Sequence, residues 1–399
     1  MNKKDKMALV PKLRFPEFKN NGAINLEKGN VIFESISNKN HNSDLPVLAI
    51  TQEYGAIPRD QINYNVSVTD KSLESYKVVE IGDFIISLRS FQGGIEYSLY
   101  HGICSPAYII LRKKAPIVEE YYKYYFKTNK YIQDLNKDLE GIRDGKMVSY
   151  SQFSSILLPK PDNDEQQKIA DCLSSLDDLI TAENEKLEAL KAYKKGLMQK
   201  LFPAEGETVP EWRFPEFRDS GGWDTSVLKD FAKVTTGNKD TRNKIHDGKY
   251  PFFVRSQTVE RINSYSFDCE AILTSGDGVG VGKNYHYIFG KFDFHQRVYC
   301  IYDFDKTVSG RFVFQYILEH FSKRVMQLSA KNSVDSVRMS MITEMPIMLP
   351  SIEEQKKIAE CLFGLDDIIK AQAQKVEILS IHKKGLMQGL FPSIKEVGE

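Results

Sequence analysis

The strongest constraint on how this chain can fold is that it repeats itself. Residues 164–203, DEQQKIADCLSSLDDLITAENEKLEALKAYKKGLMQKLFP, align without a gap on residues 353–392, EEQKKIAECLFGLDDIIKAQAQKVEILSIHKKGLMQGLFP, and 24 of the 40 positions are identical. Two unrelated amphipathic helices do not share that much, so the fold is a duplication. VPKLRFPEF (10–18) is echoed by VPEWRFPEF (209–217), and VSYSQFSSILLP (148–159) more loosely by MSMITEMPIMLP (339–350). The blocks between, roughly 19–147 and 218–338, match only weakly. LPVLAITQ (45–52) sets over YPFFVRSQ (250–257), and GDFIISLRS (82–90) over CEAILTSGD (269–277). The frame is shared while the loop contents differ.

The long repeats read as helices. Apolar residues fall at Ile169, Leu173, Leu176, Ile180, Leu187, Leu190, Leu197 and Leu201, and at the equivalent positions from Ile358 through Leu365 and Val376 to Leu390. That 4-3-4 spacing is a heptad seam. Glu183 with Gln372, and Lys194 with Lys383, are polar seam positions in both copies, which restricts register. Pro161 and Pro203 bracket the first helix without entering it. An amphipathic helix of this length needs a partner stripe, and the other copy is the nearest one. Some 37 helical residues at about 1.5 Å each reach roughly 55 Å. The variable blocks read as mixed α and β, with strands near 46–50, 83–87, 107–111, 251–254, 271–274 and 297–302. Helices are expected at 119–137 and 311–327. The cluster Tyr121, Tyr122, Tyr124, Tyr125 and Phe126 reads as a core-facing helix rather than a base-stacking platform.

Composition removes whole classes. Fifty-four basic against 54 acidic residues rule out a generic polycation, so any nucleic-acid contact must come from local patches. Hydrophobic residues at 41% suffice for packed cores. No run of eighteen apolar residues occurs, and the charged start Met1-Asn2-Lys3-Lys4 lacks an apolar leader. Five scattered cysteines without a C-x-x-C pair suggest reduced thiols in a cytosol rather than a disulfide framework or a zinc site.

Several segments imitate active sites. SGDGVGVGK (275–283) invites a phosphate-loop reading, but Asp277 stands where the first glycine belongs and Asn284 where Ser or Thr belongs. It reads instead as a glycine-rich surface loop. Ser105-Pro106-Ala107-Tyr108 lies one residue from the S-P-P-Y type of motif that grips a base in amino-methyltransferases, yet no G-x-G turn for S-adenosylmethionine lies upstream. The seven histidines show no metal spacing. The sequence therefore predicts no catalytic and no metal centre in this chain.

Two variable blocks, each closed by L-P…E-Q…I-A…L-D and K-K-G-L-M-Q-x-L-F-P, resemble the specificity subunits of type I restriction-modification systems. The signature runs from Leu158-Pro159 through Glu165-Gln166, Ile169-Ala170 and Leu176-Asp177-Asp178 to Lys195-Gly196-Leu197-Met198, and again from Leu349-Pro350 to Met387. RFPEF before each block fits the same family. Gly222-Trp223 opens the second block as the family does, whereas Asn21-Gly22-Ala23-Ile24 replaces the tryptophan in the first. The resemblance implies an α+β fold: two pseudo-symmetric mixed α/β target recognition domains joined by two long antiparallel coiled-coil helices. The divisions are 1–160, a spacer helix at 161–204, 205–351, and a helix and tail at 352–399. It also implies a non-catalytic reader of bipartite double-stranded DNA that docks two methyltransferase subunits, with restriction subunits joining through them. S-adenosylmethionine, ATP and Mg would belong to those partners. The competing readings are a stand-alone adenine methyltransferase or nuclease, and a coiled-coil adaptor without a DNA role.

Base readout needs arginine forks and amides, and phosphate contact needs cations and hydroxyls. Loops after equivalent strands supply Thr51, Gln52, Arg89, Ser90, Gln92 and Tyr97, then Arg143 and Lys146, in the first block. The second supplies Arg255, Ser256, Gln257, Ser275, Asp277, Lys283 and Asn284, then His295, Gln296 and Arg297, then Lys331, Asn332 and Ser333. For partner docking the candidates are Leu176, Leu187, Leu197 and Met198 on one helix, and Leu365, Val376, Leu386 and Met387 on the other.

Overall fold

The looser echoes just before each long helix are strands, and each pairs with the segment that follows RFPEF. In the computed structural model, which describes residues 9–42, 44–62, 73–136, 148–328 and 336–392, Asn25–Lys28 runs antiparallel to Leu157–Lys160. Asp224–Val227 does the same with Pro346–Leu349. Both ribbons lead straight into a long helix, Asn163–Leu201 and Ile352–Leu390.

The E-Q pair opening each helix is the mechanical centre of the frame. Glu165 takes a two-pronged bond from Arg14 (Nε 2.8 Å, Nη2 2.7 Å), and Arg14 also donates to the carbonyl of Gly22. The duplicate is Arg213 on Glu354 (2.7 and 2.6 Å) and on the carbonyl of Gly221. Next to it, Gln166 donates to Pro161 O and accepts from Val118 N, while Gln355 donates to Pro350 O and accepts from Ser309 N. These amides satisfy backbone groups that the helix starts leave open. The rest of RFPEF clasps the helix from outside. Glu17 meets Lys168 at 3.3 Å and Glu216 meets Lys357 at 3.3 Å, each lysine also lying 5.7 Å from the ring of Phe15 or Phe214.

The compact units do not follow chain order. One comprises Met1–Glu183 with Lys375–Glu399, the other Asn184–Gln374. The sequence division at 161–204 and 352–399 treats each helix as one segment, whereas contacts divide each helix between the units. In the first unit, Ile169 and Leu173 from the start of one helix, and Leu390 and Phe391 from the end of the other, complete one core. Phe391 packs 5.1 Å from Tyr121 and 5.7 Å from Tyr125. In the second unit, Leu201 and Phe202 join Ile358 and Leu362. There Phe202 packs against Trp223, Phe312 and Tyr316. The conserved-looking L-F-P exits are thus core plugs, each burying a whole phenylalanine.

Within each unit the two helix segments run antiparallel. In the first, advancing from Asp177 to Glu183 on one helix matches retreating from Lys383 to Lys375 on the other. In the second, Lys194 meets Asp366 at 2.6 Å, and Leu201 and Ile358 share the core beyond it. The duplicated seam lysines therefore each hold the duplicated aspartate of the other helix, which fixes register as a buried or half-buried pair does.

The variable layers differ more. The second unit carries a six-stranded sheet in the order Lys233–Thr236, Val298–Tyr302, Phe267–Ser275, Tyr285–Phe294, Tyr250–Phe253, Glu260–Ile262. The first has a four-stranded sheet of Phe33–Ile36, Ile109–Lys113, Phe84–Ile86 and Glu96–Tyr97, with the hairpin Leu48–Thr51/Gly55–Pro58 and the pair Lys77–Val79/Gly102–Cys104. The tyrosine-rich stretch is core: Tyr121, Tyr122, Tyr124, Tyr125 and Phe126 are all buried. The expected single helix over 119–137 is, within the described residues, two, Glu119–Tyr125 and Asn129–Asn136. Thr128 makes the break, its hydroxyl donating to Tyr125 O and accepting from Tyr131 N at the start of the second. Its counterpart, Gly310–Leu328, has no such residue and stays continuous. No described helix is long and apolar enough to cross a membrane.

Candidate nucleic-acid interface

In the second unit, three loops from different strands meet at one end of the six-stranded sheet. Strand Tyr250–Phe253 leads to Arg255, strand Phe267–Ser275 leads to Asp277, and the turn between Tyr285–Phe294 and Val298–Tyr302 carries Arg297. Arg255 donates Nη1 to Asp277 Oδ1 at 2.7 Å, and Arg297 donates Nη1 to Asp277 Oδ2. The backbone joins them too, since Gly276 N reaches Arg297 O at 2.9 Å and His295 N reaches Phe253 O at 2.9 Å. Burial alone would raise the Asp277 carboxyl, but hydrogen bonds from Arg297 and Arg255 outweigh it and hold its pKa below the usual range. The same bond lifts Arg297 further. Two arginine cations thus share one carboxylate where three loops of the second unit converge.

Around this triad, Gln257, Lys283 and Gln296 are exposed and free to meet a ligand. Ser256 spends its hydroxyl on Thr258 O, and its carbonyl contacts His286 Nε2. Four of the candidates, Ser275, Asn284, His295 and Asp277, take supporting roles instead. Ser275 is buried and its Oγ accepts from Asn284 Nδ2, so this pair braces the glycine-rich turn from inside rather than facing outward. His295 is buried and its Nδ1 accepts from Arg297 N; desolvation first, and the nearby Arg255 charge second, lower its pKa, so it acts as a neutral prop for Arg297. Asp277 likewise faces the arginines, not a ligand. The phosphate-loop lookalike ends in the turn Gly278–Gly280 and a strand, with no helix after it. Sequence reasoning missed Val279, 94% exposed at the tip of that turn. It also missed Lys239, whose backbone bridges to His295 and whose ammonium lies 3.9 Å from Asp293. The basic run Lys239, Arg242, Lys244 was the available signal. The ten-residue strand Tyr285–Phe294 was also missed, because the glycines before it read as loop.

The first unit assembles a smaller set. Gln52 donates to the carbonyl of Arg89 at 3.2 Å, joining the hairpin turn to the loop after Phe84–Ile86. Thr51 is the turn's clamp, donating to Gly55 O and accepting from Tyr54 N. Arg89 and Gln92 are exposed beside it. Ser90 and Tyr97 are corrected: Ser90 is 1% exposed and caps Ser87 N, while Tyr97 packs on Phe84 and donates to Glu120. Burial first, and the carboxylate of Glu120 second, push the Tyr97 hydroxyl far up, so it stays a neutral donor. Arg143, Lys146, Lys331, Asn332 and Ser333 lie outside the described residues.

The helix residues proposed for docking are also partly spoken for. Leu197 and Met198 pack into the second unit's core, and Leu386 and Met387 against the first's. Leu187 is buried, and Leu176, Leu365 and Val376 are half-buried along the seam. The apolar surface that remains exposed is at Leu179, Ile378 and Ile381 in the first unit, and at Tyr193 and Ile368 in the second. Off-seam positions carry it, so a heptad count passes over them. Among the described residues no group of His, Cys, Asp or Glu could hold a metal ion.

A family model described as type I restriction modification DNA specificity domain matches this chain twice, over residues 14–192 and 220–379. The two matches cover most of the chain, and each spans one variable block and the greater part of the long helix that follows it. The chain belongs to that family. It is 32% identical over 155 residues to the type I restriction enzyme EcoDI specificity subunit of Escherichia coli, covering 39% of this chain and 33% of that protein. It is 26% identical over 360 residues to the MjaVIII specificity subunit of Methanocaldococcus jannaschii, covering 82% and 81%. The fold is that of the crystal structure of the type I restriction-modification S subunit from M. genitalium, with a TM-score of 0.64 at 15% identity over 97% of this chain and 100% of that one.

Proposed function

We propose that this chain is the sequence-reading subunit of a type I restriction-modification complex. Each unit reads one half of a bipartite duplex site, and the two long helices set the number of unread bases between the halves. The observation that carries this reading is the duplicated, tightly hydrogen-bonded frame whose divergent loops, in the second unit, converge on exposed arginines. Adenine methylation and cleavage would be performed by methyltransferase and restriction subunits, which would bind S-adenosylmethionine, ATP and Mg. This chain contributes recognition only.

Mapping methylated adenines in cells that carry this chain with its partner subunits tests the reading, and a two-part motif with a fixed gap is the expected outcome. Arg89→Ala should relax or weaken only the half-site read by the first unit, by about 5- to 100-fold if it contacts a base. Equal weakening at every sequence would make Arg89 a phosphate contact instead.

The methyltransferase subunits would dock on the exposed apolar residues rather than on the seam. Ile378→Asp combined with Ile381→Asp removes apolar surface from positions 65% and 63% exposed, so folding should be unaffected. Co-purification with the methyltransferase subunit should fall at least about tenfold. Undiminished complex formation by this folded variant would rule out that docking face.

A further inference from the structure

We infer that Arg255 and Arg297 read guanine in the half-site of the second unit, and that Asp277 is the positioning residue that aims both. The inference rests on the DNA-reading assignment above and deepens it.

Each arginine spends one nitrogen, Nη1, on Asp277. Among the described residues, Nε and Nη2 of both have no hydrogen-bond partner. A guanidinium held by one corner still offers two parallel N–H donors along another edge. Guanine presents two adjacent acceptors, O6 and N7, in the major groove, whereas adenine puts an amino donor beside N7 and would oppose the second N–H. The forks therefore fit guanine and are mismatched to adenine.

Phosphate contact is the competing use of an arginine, and the surroundings disfavour it. Phosphate contacts fix register without reading sequence, and an unbraced lysine point charge can supply them. Here one carboxylate fixes both side chains, and it stands where a phosphate would meet like charge. The supports continue inward, since the Arg297 backbone is held by His295 Nδ1 and by Gly276 N. Asp277 itself sits on a strand bridge to Ser336, with Val337 N bonded to Gly276 O at 2.7 Å. Pre-set forks lose less rotamer freedom on binding and discriminate better than free ones.

The test is methylation mapping with the full chain and its partner subunits, together with duplex-binding titration of the same complexes, comparing the parent with Arg255→Gln, Arg297→Gln and Asp277→Asn. Both arginines are exposed, so glutamine can replace them without disturbing packing, and melting curves verify the fold. The expected parent motif carries guanine in one half. Each glutamine variant should lose its preference for guanine over adenine at a position of that half by about tenfold or more, with the other half unchanged, because a glutamine amide matches adenine rather than guanine. Asp277→Asn should loosen the same positions while total duplex affinity stays level or rises. The inference is overturned if neither half of the parent motif contains guanine. It is equally overturned if the glutamine variants keep the parent preference and merely bind all sequences more weakly. A parent that yields no two-part motif at all overturns the broader reading and this one together, an outcome separable from the first two.

Discussion

Arg213→Ala should lower the stability of the second unit by about 3–5 kcal/mol, the cost of leaving a buried carboxylate without its cation. Glu354 is 1% exposed and receives both prongs of Arg213, so deletion strands a charge that water cannot reach. The carbonyl of Gly221 loses its donor at the same time. For a unit of this size the melting temperature should drop by roughly 6–20 °C. Calorimetry with hydrogen exchange read on peptides of the second unit is the appropriate measurement, because a two-unit chain need not melt in one step. Replacing both partners, Arg213→Met with Glu354→Leu, should recover much of the loss, since an apolar pair of similar volume leaves nothing unpaired. A loss under about 1 kcal/mol in the single variant would show that Glu354 finds another partner and that the RFPEF clasp is dispensable. Arg14→Ala should do the same to the first unit through Glu165, 1% exposed in its own clasp.

Deleting one heptad from both long helices should change the gap in the methylated motif or abolish methylation. Removing Asn184–Leu190 with Lys370–Val376 takes seven residues from each helix and keeps the Lys194–Asp366 and Lys383–Asp177 pairs that fix register. Seven residues are about 10.5 Å of helix, close to three base pairs of duplex at about 3.4 Å each. Three base pairs also turn the duplex by roughly 100°. A gap shorter by about three is expected where the readers tolerate that rotation, and loss of methylation where they do not. Survival of the parent gap in a folded, active variant would show that something other than helix length sets the spacing.

Much of the frame was legible because its physics is local and its message was written twice. The seam of Leu173, Leu187, Leu201 and their counterparts announces paired helices through periodicity alone. The recurrence of Glu-Gln, RFPEF and Leu-Phe-Pro marks joints, although the sequence does not reveal what they join. The candidate recognition residues were only half legible. Alignment of the halves pointed to loops of which three converge in the second unit, but within them Ser90, Tyr97, Ser275 and His295 are buried supports. A polar residue in a loop looks the same in sequence whether it faces solvent or braces its own turn.

Duplication, long amphipathic helices and the positions of the variable loops follow from the sequence by itself, because repeat identity and 3.6-residue spacing are one-dimensional properties. Tertiary structure decided the rest. It divided each helix between two cores, so that Phe391, near one end of the chain, completes the packing around Tyr121. It brought Arg255, Asp277 and Arg297, some 20 residues apart at each step, into one hydrogen-bonded triad. Both outcomes depend on strand order and long-range burial, and no local pattern encodes which loops end up side by side.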